Sequence, residues 1–175
     1  MVQAPTANWD LPYQEACEEA AVIMLHYYLQ DKELDVVLAD KEINDLVNWQ
    51  EDYLGYYKDT TTEEIAEVVE KYWGHKVEII NNPIIDVIKE QIIMGNPVIA
   101  PFYGRGLSNP YYSGEGPLYH MMVIKGYTEN GFVTNDPGTK RGQDYFYNYD
   151  IIMNNLHDWN DGDVQNGQAK ILILK

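Results

Sequence analysis

A chain of 175 residues, 45% of them apolar, is long enough to bury a core, and the sequence predicts a single domain over residues 1–175. Twelve basic residues stand against 28 acidic ones, a formal net charge of −16. That balance excludes nucleic acid and anionic membrane as partners, because both demand cationic surface. No apolar run approaches the length of a bilayer span, so no membrane insertion is expected, and one cysteine rules out an internal disulfide.

In chain order, residues 1–14 read as extended, since Pro5 and Pro12 each disfavour helix in the residue before them. A helix is predicted over about 15–30: Cys17, Ala20, Ala21, Met24 and Tyr28 recur on one face of a 3.6-residue period. A second helix, about 40–52, carries Ile43, Leu46, Val47 and Gln50 at helical spacing. A third begins at Thr61, with Glu64 completing a capping box, and stops near Gly74. A short strand over 75–80 follows. Asn82 caps a helix with Pro83 at its first position, ending at Gly95.

From residue 97 the pattern turns to β. Strands are predicted over 97–103, 119–127 and 132–135, the last two joined by a tight hairpin turn at Asn130-Gly131. Further strands over 144–149 and 169–174 flank a short helix over 150–156. Between 104 and 118 lies a glycine-rich loop long enough to suggest a functional role. Helices first and antiparallel strands second give an α+β fold.

Cys17 opens its helix, where free N–H groups and the positive end of the helix dipole stabilise a thiolate. A lone cysteine there, with a histidine in a distant apolar strand, is a candidate nucleophile. Its other reading is a small buried hydrophobe. In the strand over 119–127, alternation places His120, Met122 and Ile124 on one face. Asp136 follows the paired strand, but a two-residue turn sets it opposite Lys125, so contact with His120 requires a bulge or a reach back from the strand end. Glu18 and Glu19 suit a helix N-terminus, yet either one pointed at Cys17 would raise its pKa. A charged His120 beside the sulfur would still favour the thiolate. His26, His75 and His157 lack partners at metal-ligand spacing and read as structural. Residues 158–163 read as an acidic turn, and Arg105 as one end of a loop-bracing ion pair or as a ligand for a substrate carboxylate. Some of Tyr103, Tyr111, Tyr112 and Tyr119 are placed to line a cleft.

Four stretches together carry a family resemblance: Gln3-Ala4-Pro5, Cys17-Glu18-Glu19-Ala20, the run His120 to Tyr127, and Asn135-Asp136-Pro137-Gly138-Thr139. In this order the chain resembles the C39-like peptidases, over nearly its whole length. The resemblance implies a papain-like cysteine peptidase fold, with N-terminal helices packed on a twisted antiparallel sheet. It implies Cys17 as nucleophile, His120 as base and then acid, and Asp136 as the residue that orients His120. It also implies a glutamine donating to the oxyanion, for which Gln3 matches the motif and Gln14 lies nearer in sequence.

The expected reaction is cleavage of an amide bond in a peptide or protein through a thioester, with no metal or cofactor and the chain acting as a monomer. A transpeptidase using the same triad and a catalytically silent peptide-binding domain are the alternatives. No leader or lipidation motif is present. The abrupt Met1-Val2-Gln3 start is compatible with a removed leader, and the resemblance to stand-alone members implies an extracellular or cell-surface location.

Overall fold

The computed structural model describes residues 1–175. Five helices, α1 (Cys17–Leu29), α2 (Val36–Tyr53), α3 (Thr62–Trp73), α4 (Ile85–Ile93) and α5 (Tyr149–Asn155), surround one six-stranded sheet. The strands are β1 (Val77–Asn81), β2 (Val98–Tyr103), β3 (Tyr119–Tyr127), β4 (Gly131–Asn135), β5 (Tyr145–Asn148) and β6 (Lys170–Leu174). All neighbours run antiparallel in the order β1-β6-β2-β3-β4-β5, so the fold is α+β as expected.

Both faces of the sheet are covered, not one. Tyr119, Met121 and Val123 of β3 share a core with α1, α2 and α3, whereas Met122 and Ile124 pack with Ile88 of α4 and Ile152 of α5. The alternation of a strand makes this division. Helix α1 is buried continuously from Cys17 to His26, because it is enclosed by the sheet and its neighbouring helices. A helix apolar nearly all round is a core helix, so its single predicted face is too narrow, and Tyr28 at its end is 56% exposed instead of packed.

Local chemistry sets the helix ends. Helix α3 carries the expected capping box between Thr61 and Glu64 and ends at Gly74, whose φ of +74° lies in the left-handed region. Helix α2 starts at Val36, earlier than its apolar spacing suggests, because Asp35 accepts from Leu38 N at 2.8 Å. Asn82 does not cap α4. Its N–H continues the sheet by donating to Ala169 O at 2.7 Å, and the helix begins only at Ile85.

The β3–β4 hairpin differs from the expected register in a way that decides the site. Tyr127 pairs with Phe132 across a four-residue connection, and a bulge between Ile124 and Gly126 shifts the ladder once more, so that Val123 pairs with Asn135. The longer connection moves Asp136 by two positions and the bulge by one. Because a single-residue slip reverses which face a side chain takes, Asp136 leaves the face of Lys125 and falls opposite Met122, on the face of His120. The two become diagonal cross-strand neighbours, within reach of long side chains.

Candidate active site

His120 Nε2 and Asp136 Oδ1 are 2.7 Å apart, with both side chains almost wholly buried. Asp136 is held from every side. Its Oδ1 also accepts from Gly138 N at 2.9 Å, and its Oδ2 accepts from Tyr112 OH at 2.7 Å, Tyr147 OH at 2.8 Å and Asn109 Nδ2 at 3.1 Å. Its own N–H donates to Gly142 O at 2.9 Å. Burial alone would raise this carboxyl. The His120 charge and hydrogen bond, with those from the two tyrosines, overcome burial and bring it down to about 2. Asp136 is therefore ionised at neutral pH, and as acceptor from Nε2 it fixes the tautomer and plane of His120.

Gly138 closes over the imidazole, where a Cβ would stand 2.9 Å from His120 Cε1, so a larger residue here would displace the ring. The remaining ring nitrogen, Nδ1, makes no hydrogen bond and is not sealed from solvent. His120 borders a cleft of about 770 Å³ that Cys17, Gln3, Gln14 and Glu18 also line. Cys17 and His120 belong to opposite faces of the sheet, and both reach this cleft where β3 begins.

The cysteine is not bonded to His120. Its Sγ donates to Glu18 Oε2 at 2.9 Å. Burial raises the thiol pKa well above its ordinary value, the Glu18 charge and hydrogen bond raise it further, a backbone group of Met121 offsets part of this, and Glu19 adds to the rise. The group bonded to the sulfur at rest is thus Glu18, which raises the thiol, and not His120, which would favour the thiolate. Glu18 and Glu19 are both buried, at 1% and 0% exposure, where a surface helix would leave them in water. Burial and then the neighbouring Glu19 raise Glu18, while burial brings Glu19 up to about 7 against the hydrogen bond it accepts from Gln50.

Gln3 is also buried, at 4% exposure. Its N–H donates to Pro137 O at 3.0 Å, tying the N-terminal segment to the residue after Asp136. Its side-chain amide donates to Tyr13 O at 2.9 Å and Gln14 O at 3.1 Å, which shapes the turn leading into Cys17. Both of its amide hydrogens are thereby engaged at rest. Gln14 has one bond, from Nε2 to Glu15 Oε1 at 3.2 Å.

The long loop before β3 supplies Asn109 and Tyr112 to Asp136, which accounts for its length. Sequence reasoning gave Asn109 and Tyr147 no role and placed Tyr112 only as a cleft-lining residue, without its bond to Asp136. Only the loop's position and its tyrosines hinted at them. Tyr111, Tyr112 and Tyr119 line the cleft, and Tyr103 does not. Arg105 sits 3.8 Å from Glu115, the loop-bracing pair. His26 bonds His75 at 2.8 Å and stacks on Trp73, and His157 bonds Gly167 O at 2.9 Å, all structural contacts. Asp158, in the acidic turn, binds Thr62 N, Tyr119 OH and Lys170.

The sequence profile of the Peptidase_C39 like family matches residues 2–164. No curated protein matches the chain in sequence. Among solved structures, a protein from Bacillus anthracis described as a C39-like peptidase superposes with a TM-score of 0.59 at 14% identity, covering 92% of this chain and 89% of that one. At that identity the likeness is one of fold.

Proposed function

We infer the function from one premise: this chain belongs to the Peptidase_C39 like family. Family and fold together support a cysteine peptidase-like activity. In the reading proposed here, residues 1–175 act as one domain that hydrolyses an amide bond of a peptide or protein through Cys17, His120 and Asp136. The observation that carries it is the 2.7 Å contact between His120 Nε2 and Asp136, which leaves Nδ1 open to the cleft that Cys17 shares.

The Cys17 thiol gives its proton to His120 Nδ1, and the thiolate attacks the substrate carbonyl. The oxyanion is held by the Cys17 backbone N–H, free at the helix start, and by Gln3, which exchanges its longer bond to Gln14 O for the oxyanion. Gln14, more exposed, is the second candidate donor. Protonated His120 then gives its proton to the leaving amine, which departs and leaves a thioester on Cys17. His120 next takes a proton from water, whose oxygen displaces the sulfur and releases the acid. Losing one oxyanion donor in such a site costs about 100- to 1,000-fold in turnover.

A mixed peptide library, incubated with wild type and with Cys17→Ala and read by mass spectrometry with and without an added amine, tests this reading. New free carboxyl termini made only by wild type are expected. Amine-capped termini would instead make it a transpeptidase. Peptides bound but never cut would make it a binding domain.

A further inference from the structure

We propose that Glu18 holds the thiol proton of Cys17 at rest, so that the productive Cys17–His120 pair forms only once the thiol turns away from that carboxylate. The inference rests on Cys17 being the nucleophile of the proposed reaction.

Three features of the geometry support it. The sulfur lies 2.9 Å from Glu18 Oε2, while the open nitrogen of His120 has no partner. Glu18 is fixed from its other end: Oε1 accepts from Thr60 N at 3.2 Å, and Thr60 O accepts from Tyr119 OH at 3.1 Å, the residue before His120. Tyr119 OH is in turn bonded to Asp158 Oδ1 at 3.1 Å, which is paired with Lys170. The carboxyl group therefore cannot swing away without giving up the Thr60 N–H, whose residue is itself held by bonds running on to β6.

The charges facing this pair reinforce the hold. Helix α1 contributes Glu19, the turn before it Glu15, the segment before α3 Tyr57 and Asp59, the latter beside the exposed Lys58, and β3 Tyr119 and His120, with Asp158 behind Tyr119. His120, when protonated, is the cation among the groups that line the cleft with the pair. Burial and Glu19 make the Cys17–Glu18 pair hold on to its proton, since losing it to leave both groups ionised would set two negative charges about 3 Å apart with little water between them. After rotation about χ1, the S–H proton passes to His120 Nδ1, giving thiolate and imidazolium. Glu18 keeps its bond from Thr60 and gains no proton. The resting site is thereby shielded from stray alkylation and oxidation, which act on thiolates.

The test uses the full chain, whose single cysteine gives a single S–H stretch in the Raman spectrum and a single alkylation site by intact mass. In wild type the S–H band should be lowered by its hydrogen bond and persist through neutral pH, with alkylation by iodoacetamide titrating at or above the free-thiol value of about 8.5. Glu18→Gln should lower that midpoint by at least about one unit and speed alkylation at pH 7 about tenfold. Adding His120→Ala should erase the gain, because the released thiol then lacks its acceptor. A wild-type thiolate already present below pH 7, or a Glu18→Gln profile that overlies wild type, would overturn the proposal. Should Glu18→Gln not fold, the wild-type Raman band decides alone. A shifted profile without peptide cleavage would keep the Glu18 contact and sink the hydrolase reading, and cleavage with an unshifted profile would do the reverse.

Discussion

Two carboxylates stand behind the two candidate reacting groups at the same depth, and they titrate in opposite directions. Asp136 and Glu18 are each 1% exposed. Asp136 accepts five hydrogen bonds and lies against an imidazole, and its pKa falls to about 2. Glu18 accepts one backbone N–H and one thiol, has Glu19 as neighbour, and its pKa rises. Depth is common to both, so donors and neighbouring charges decide the protonation state. One end of the cleft is built to keep a charge and the other to keep a proton.

The largest way to break this contrast is Asp136→Ala. It frees the His120 ring and strands Asn109, Tyr112 and Tyr147, so peptide turnover should fall about 100- to 10,000-fold, measured as kcat on folded protein checked by thermal unfolding.

Glu19→Gln sharpens the contrast from the other end. A folded pKa of about 7, raised above the unfolded value, stabilises the fold below about pH 4 and loses that contribution as pH climbs through 7. The variant, having no such loss, should gain about 3 kcal/mol relative to wild type between pH 4 and pH 9 in denaturant unfolding.

Asp136 should give the mirror image. With its folded pKa lowered to about 2, its contribution is present above the unfolded value and lost as pH falls from about 4 to 2. Comparing wild type with Asp136→Asn over that window should show about 2 kcal/mol of acid-sensitive stability that the variant lacks. The smallest expected effect is Tyr147→Phe, which removes one of five donors: about 1–2 kcal/mol of stability and a small upward drift of the Asp136 titration, read by carboxyl NMR.

Much of this molecule is legible in its sequence where the signal is local. The Thr61–Glu64 box, the run from Tyr119 to Tyr127 and the placing of Cys17 at a helix start all follow from short-range chemistry. The meeting of His120 with Asp136 is not readable in the same way. It depends on a longer hairpin connection and a bulge beside Gly126, and a strong Asn-Gly turn signal points to a different register. The donors to Asp136 arrive from a loop and from β5, and no periodicity links positions so far apart. Glu18 and Glu19 are the instructive miss. Acidic residues in a first helical turn normally face water, but here they interrupt a segment otherwise apolar from Cys17 to Leu25, and that interruption was the available sign of a buried polar site.

The account's central claim is that Cys17 reacts through His120, and labelling by a peptidyl electrophile with intact-mass readout tests it most directly. Wild type should carry one adduct, on Cys17, and His120→Ala should label at least about 100-fold more slowly. Equal labelling of the two proteins, or an adduct elsewhere on the chain, would contradict it.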